Sequence, residues 1–219
     1  MTACKLLAVY IVSTQKEETR ARLFSAARKL LVKRGFHGVG LEDIAEAAGV
    51  SRQAVYKSHF ASKAELLLEL VRHLHVVEKL DDLVQPYLAA KSGLEMLHEG
   101  IRTIVLIEGR IHDIALVLSA AAQTDPGAAA ALQDRLAVKR GAIQAAVERV
   151  KADGHFSVAW RLDEAVDLLV ALLSVDTYEQ LVIDRGWAPE QLIARIRELS
   201  RAFLIVPTSP KPSRKRAAR

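Results

Sequence analysis

The chain has 219 residues, 51% of them hydrophobic, with 31 Lys/Arg against 26 Asp/Glu and a single cysteine. That is enough apolar material to bury a core in one domain or two modest ones, and the lone Cys4 excludes an intrachain disulfide framework and a cysteine-built metal cluster. Charge is uneven: residues 1–66 carry 11 basic against 6 acidic side chains, residues 67–210 carry 15 against 20, and residues 211–219 carry 5 against none, so the two ends suit a polyanion and the middle does not.

Nearly every segment has helical period and no strand alternation stands out, which predicts an all-α protein of about nine helices. Leu6 to Val12 is the one targeting-like stretch, but seven apolar residues cannot span a bilayer and no small-residue cleavage pattern follows. Residues 1–14 therefore read as a flexible extension, as a misassigned start codon would leave, on a protein of the reducing cytoplasm. Thr14 to Glu17 form a capping box, and Leu23, Phe24, Ala27, Leu30 and Leu31 line one face of a helix over 15–34 that Gly35 stops.

The run from Leu41 to Phe60 reads as two short helices about a glycine turn. Leu41, Ile44 and Ala48 give the first an inner stripe, Ala45 is small enough for a close crossing, Gly49 makes the turn, and Val50 and Val55 pin the second helix against the first. This is the minimum scaffold for pushing a helix N-terminus into a DNA major groove. Ser51 caps the second helix, so Arg52 and Gln53 project from its first turn, where arginine can read guanine and glutamine adenine. Tyr56, Lys57 and His59 lie further along, with groups suited to phosphate oxygens.

Ser62 to Glu65 form a second capping box, opening a helix with Leu66, Leu67, Leu70, Val71 and Leu74 on its apolar side that fades near Asp81. Beyond Pro86, Ser92 to Glu95 resemble a capping box, Thr124-Asp125-Pro126 a cap with proline in the first turn, and Asp163 another cap, while Gly186 and Pro189 separate the last two helices.

Gly35-Phe36, the run from Leu41 to Ser51, Val55-Tyr56, His59-Phe60, Ser62-Lys63 and Glu65-Leu66 together resemble the tetracycline-repressor (TetR) family over residues 17–70. The resemblance implies a three-helix DNA-binding head over 15–62, an effector-binding and dimerisation body over 63–206, and a homodimer formed through the last two helices. It implies groove contacts from Arg52, Gln53, Tyr56 and Lys57, and phosphate contacts from His59 and Lys63. Tyr178-Glu179 and Arg185-Gly186-Trp187 with Pro189-Glu190 resemble the stretch before the final dimer helix. The sequence departs from the family pattern in two places: Tyr56 and Phe60 are four apart where the family has three, which puts one extra residue near Ser58, and Gly40 stands where the family prefers a capping Thr or Ser.

Apolar residues between Leu94 and Leu118 occupy more than one helical face, as in an enclosed helix, and Met96, His98, Arg102, Glu108, Arg110 and His112 are candidates to fix a small-molecule effector, with Trp160 and Phe156 on the same cavity or simply in the core. Val166, Leu169, Val170 and Leu173 make one stripe and Leu192, Ile196, Leu199 and Phe203 another, suiting a four-helix dimer interface or the chain's own core. His73 and His75 face different ways, so no metal and no cofactor is expected. Residues 207–219 read as a disordered basic tail that either adds non-specific DNA affinity or is merely solvated.

No nucleophile–base pair, phosphate loop or metal spacing points to an enzyme. The expected function is a sequence-specific transcriptional regulator, a repressor released from a palindromic operator by a small molecule. The alternative is a helical ligand-binding or interaction protein that has lost DNA binding.

Overall fold

The computed structural model describes residues 3–53, 55, 60 and 62–205, with side chains from residue 17 onward. The described residues are helical apart from turns and one isolated antiparallel bridge between Phe156 and Ile205. The fold is all-α. The helices are α1 (Ala3–Arg34), α2 (Leu41–Ala47), α3 (Lys63–Val77), α4 (Leu80–Leu88), α5 (Gly93–Ala121), α6 (Pro126–Ala152), α7 (Leu162–Leu172), α8 (Val175–Tyr178) and α9 (Pro189–Leu204), with a π-helical turn over Glu179–Ile183 between the last two.

Most helix ends lie where capping chemistry puts them. Ser62 Oγ accepts from the Glu65 amide at 3.1 Å, Ser92 Oγ from Glu95 at 3.2 Å and Asp125 Oδ1 from Ala128 at 2.9 Å, with Pro126 as the first helical residue. Four boundaries differ from expectation. Helical backbone runs through Thr14 from Ala3, so Thr14 is not a cap; nothing between the two breaks a helix. α3 ends at Val77 rather than near Asp81, because Lys79 adopts φ +49° and turns the chain. Pro86 lies inside α4, in its second turn, rather than marking a break. Asp163 is in the first turn of α7, not its cap; Arg161 takes that place, its guanidinium donating to Asp163 at 2.9 Å and its amide to Glu164 at 3.3 Å.

Packing groups the residues into two compact units, residues 1–84 with 106–138 and residues 85–105 with 139–219. The first has one continuous core in which Leu23, Phe24 and Leu31 of α1 and Ile44 of α2 share contacts with Leu66 and Leu70 of α3 and with Ile114, Leu118 and Ala121 of α5. Each such leucine contributes about 1.5–3 kcal/mol by leaving water. The second unit buries Leu97, Ile101, Val147, Leu169, Ile196 and Leu204. Gly93 lies so close to α6 that a Cβ there would stand 2.3 Å from the Val150 nitrogen, and its amide donates to Asp153 at 2.6 Å.

Candidate nucleic-acid interface

Between α2 and the next helical residues the chain turns through Gly49 at φ +65°. The Val50 amide bonds Ala45 O and the Gly49 amide bonds Glu46 O, both at 3.0 Å, so the turn satisfies the last carbonyls of α2 and fixes the exit direction. α2 starts at Gly40, whose amide donates to Asp43 Oδ2 at 2.7 Å; this supplies half of the capping interaction that a glycine side chain cannot. Ser51 O accepts from the Val55 amide at 3.3 Å, opening the recognition segment. Val55 and Phe60 are 0% and 1% exposed, while Arg52 and Gln53 face solvent. Arg52 Nη2 meets Glu42 Oε1 of α2 at 2.5 Å.

Phe60 is the far anchor of this segment. Its ring lies 5.6 Å from Phe24, the Arg20 guanidinium stands 5.3 Å from both rings, and Arg20 pairs with Glu69 of α3 at 2.9 Å. The Phe60 amide bonds Val55 O, five residues back, at 3.2 Å. The expected contacts Tyr56, Lys57 and His59, and the extra residue near Ser58, lie outside the described residues.

Lys63 is engaged within the head itself. Expected on phosphate, its ammonium donates to Phe36 O and to Val39 O (2.9 Å) and sits 4.1 Å over the Phe36 ring. The carbonyls that end the α1–α2 turn attract it, and loss of hydration pulls its pKa below the ordinary lysine value against the opposing charge of Asp125. The same turn is held by His37, whose Nε2 lies 2.8 Å from Thr124 Oγ1.

Residues 23–70, which include this turn, match the family model for bacterial regulatory proteins of the tetR family. The match covers the head alone, and there the chain is similar to the tetR family. The regulator TtgR of Pseudomonas putida is 48% identical over 61 residues, 28% of this chain and 29% of that one, and the transcriptional activator FasR of Mycolicibacterium smegmatis is 43% identical over 60 residues, 27% of each. The chain thus spans under a third of the length of these two relatives. For the fold as a whole, a transcriptional regulator of Saccharomonospora viridis solved with choline superposes at a TM-score of 0.70, with 22% identity over 87% of this chain and 99% of that one.

The expected effector residues fall in separate neighbourhoods of the two units. In the second unit His98 and Arg102 share one: Arg201 Nε donates to His98 Nε2 at 3.2 Å, Arg197 donates to His98 O and to Glu99, and Arg102 lies 3.9 Å from Glu99. Met96 is half-buried two residues before His98, and Trp160 instead packs at a tilt on Phe203 with ring centroids 5.3 Å apart. In the first unit Arg110 covers Glu78 O, the carbonyl before the turn at Lys79, while Glu108 is only 3% exposed and lies 3.7 Å from Arg135, one helical turn from half-buried His112. Arg197, Glu99 and Arg135 carry no sequence signal of their own, since each is an ordinary helical charge until its distant partner is known.

Of the expected dimer residues, Val166, Leu169, Leu173, Leu192 and Ile196 are buried within the chain itself. These five pack in the subunit core, the alternative that the sequence left open; helical spacing marks an apolar face without saying what covers it. Val170 and Phe203 are partly open and Leu199 is 49% exposed. Among the described residues no group of three metal-ligating side chains occurs, and no helix is long and apolar enough to cross a membrane.

Proposed function

We propose that this chain is a sequence-specific DNA-binding transcriptional regulator, a cytoplasmic homodimer that represses genes near its own and leaves a palindromic operator when a small molecule binds its helical body. The observation that carries the reading is the exposed pair Arg52 and Gln53 on the first turn of a segment that buried Val55 and Phe60 hold to the head. Tyr56, Lys57 and His59 complete the contact set on this reading. The dimer rests on the family and on the open side of α7 and α9, where Leu199, Val170 and Phe203 remain. A structural neighbour solved in complex with choline supports a small-molecule ligand.

Release requires that the ligand prefer the conformation that cannot bind DNA. A route exists within the first unit: Arg28 of α1 bonds Asp113 of α5 through two nitrogens, Glu78 beyond the end of α3 and Arg110 O. A ligand that shifts α5 therefore moves α1 and the end of α3 together, and the two heads of a dimer lose their half-site spacing.

The test is selection of genomic fragments with purified protein, followed by footprinting. The expected result is a palindrome with half-sites about one helical turn or a multiple apart, and loss of sequence preference in R52A/Q53A. No enriched sequence, with unchanged affinity for arbitrary DNA in R52A/K57A, would overturn the reading.

A further inference from the structure

We infer that Glu42 determines operator specificity by holding Arg52, presenting its guanidinium to a base edge while withholding it from phosphates. The inference rests on Arg52 as a base reader and adds a residue that the DNA-contact set lacks.

Glu42 and Asp43 are neighbours in the first turn of α2, yet they do different work. Asp43 serves its own helix, accepting from the Gly40 amide at 2.7 Å and lying 3.9 Å from Arg34. Glu42 reaches across the turn instead, its Oε1 2.5 Å from Arg52 Nη2. The backbone that sets this reach is rigid. Ala45, Ala48 and Val55 are buried at the crossing, and the two 3.0 Å bonds through Gly49 and Val50 close the turn. The side chains themselves are open, 46% exposed for Glu42 and 69% for Arg52, so in the free protein the pair adds little to stability. Its importance arises on DNA.

A guanidinium has five N–H groups, and reading guanine takes two of them, on O6 and N7. A carboxylate on Nη2 takes one of these five and biases where the group is held. The same carboxylate makes a phosphate a poor partner for Arg52, because two anions would then compete for one cation and repel each other. An unrestrained arginine at this place would satisfy itself on the backbone of any duplex. Glu42 thus lowers affinity for arbitrary DNA more than affinity for the operator.

The experiment measures binding of full-length protein to its selected operator, to operator variants with each guanine replaced, and to an unrelated duplex of the same length, as a function of salt. Wild type, E42Q, E42A, R52A and E42Q/R52A are compared, with melting temperatures as a control on folding. E42Q and E42A are expected to bind unrelated DNA several-fold more tightly and to steepen its salt dependence by about one. Their preference for one guanine position is expected to fall by about ten-fold. In the R52A background E42Q is expected to leave base preference unchanged. Equal losses on operator and unrelated DNA would make Glu42 merely structural and overturn the inference. So would an equal loss of preference with and without Arg52, which would mean that Glu42 reads a base amino group itself. If R52A retains full base preference, the reading of Arg52 fails and takes the inference with it; if R52A abolishes preference while E42Q has no effect, the inference alone fails.

Discussion

Arg28 and Asp113 stand 85 residues apart in sequence, yet they meet through two guanidinium nitrogens at 2.9 Å each. The fork-to-fork geometry fixes both distance and plane, so α1 of the head cannot slide along α5 without breaking it. The hydrogen bond to Asp113 is the main cause of a raised Arg28 pKa, with Glu78 adding to it. The side chains are 29% and 35% exposed, and solvent weakens the pair accordingly.

Removing either partner should cost about 1–2 kcal/mol, and a cycle of R28A, D113N and the double variant should show coupling of about 0.5–2 kcal/mol in urea melts. Hydrogen exchange should show faster opening of the second half of α1 in D113N. Additive losses, with no change in exchange, would remove the pair as a route between body and head.

Lys63 gives a second, sharper test. With its ammonium on Phe36 and Val39 carbonyls, K63M should lower stability by about 1–2 kcal/mol. The slope of log K against log salt for DNA binding should stay unchanged. A phosphate contact would instead cut that slope by about 0.9.

α9 presents two kinds of apolar residue, and substitutions should separate them. Ile196 is 2% exposed, so I196A should destabilise the subunit by about 2–4 kcal/mol, read by thermal melting. Leu199 is 49% exposed, and L199D should leave the monomer fold intact while shifting sedimentation toward the monomer. A dimer that survives L199D would place the interface elsewhere.

His98 makes the second unit sensitive to acid. Burial, then the charges of Arg201 and Arg197, hold its pKa down to about 4 against an ordinary value of 6.5. Between these values the unfolded chain binds a proton that the folded chain refuses, so stability falls as pH drops through this window; above 6.5 the contribution is fully present. The melting temperature of wild type should therefore fall more steeply from pH 6.5 to 4 than that of H98Q. His73 is shifted downward as well, by burial and then by Arg20, but it is present in both proteins and cancels in the comparison. Parallel curves would clear His98 of this role.

How much of this was legible in the sequence depends on the range of the interaction. The turn at Gly49 and the caps at Ser62, Ser92 and Asp125 are local devices, each complete within about four residues, and spacing alone finds them. Leu169 and Ile196 were recognisable as apolar stripes, but a stripe has the same period whether its own chain or a second copy covers it. Lys63 illustrates a different limit: an ammonium suits carbonyls and phosphates equally, and only the position of the Phe36–Val39 turn decides between them. Arg28 with Asp113, and Arg197 with His98, join helices far apart in sequence and leave no periodic trace.

The core that joins α1 and α3 to Leu118, Ala121 and Ala128 has a consequence for anyone recombining such regulators. A chimera cut at residue 62 would strand the apolar underside of the head, since the surface that covers it comes from α3 and, more than fifty residues downstream, from α5 and α6. On the proposed reading, operator preference is therefore transplanted by exchanging the solvent-facing first turn at Arg52 and Gln53, with Glu42 carried along, and not by exchanging whole heads.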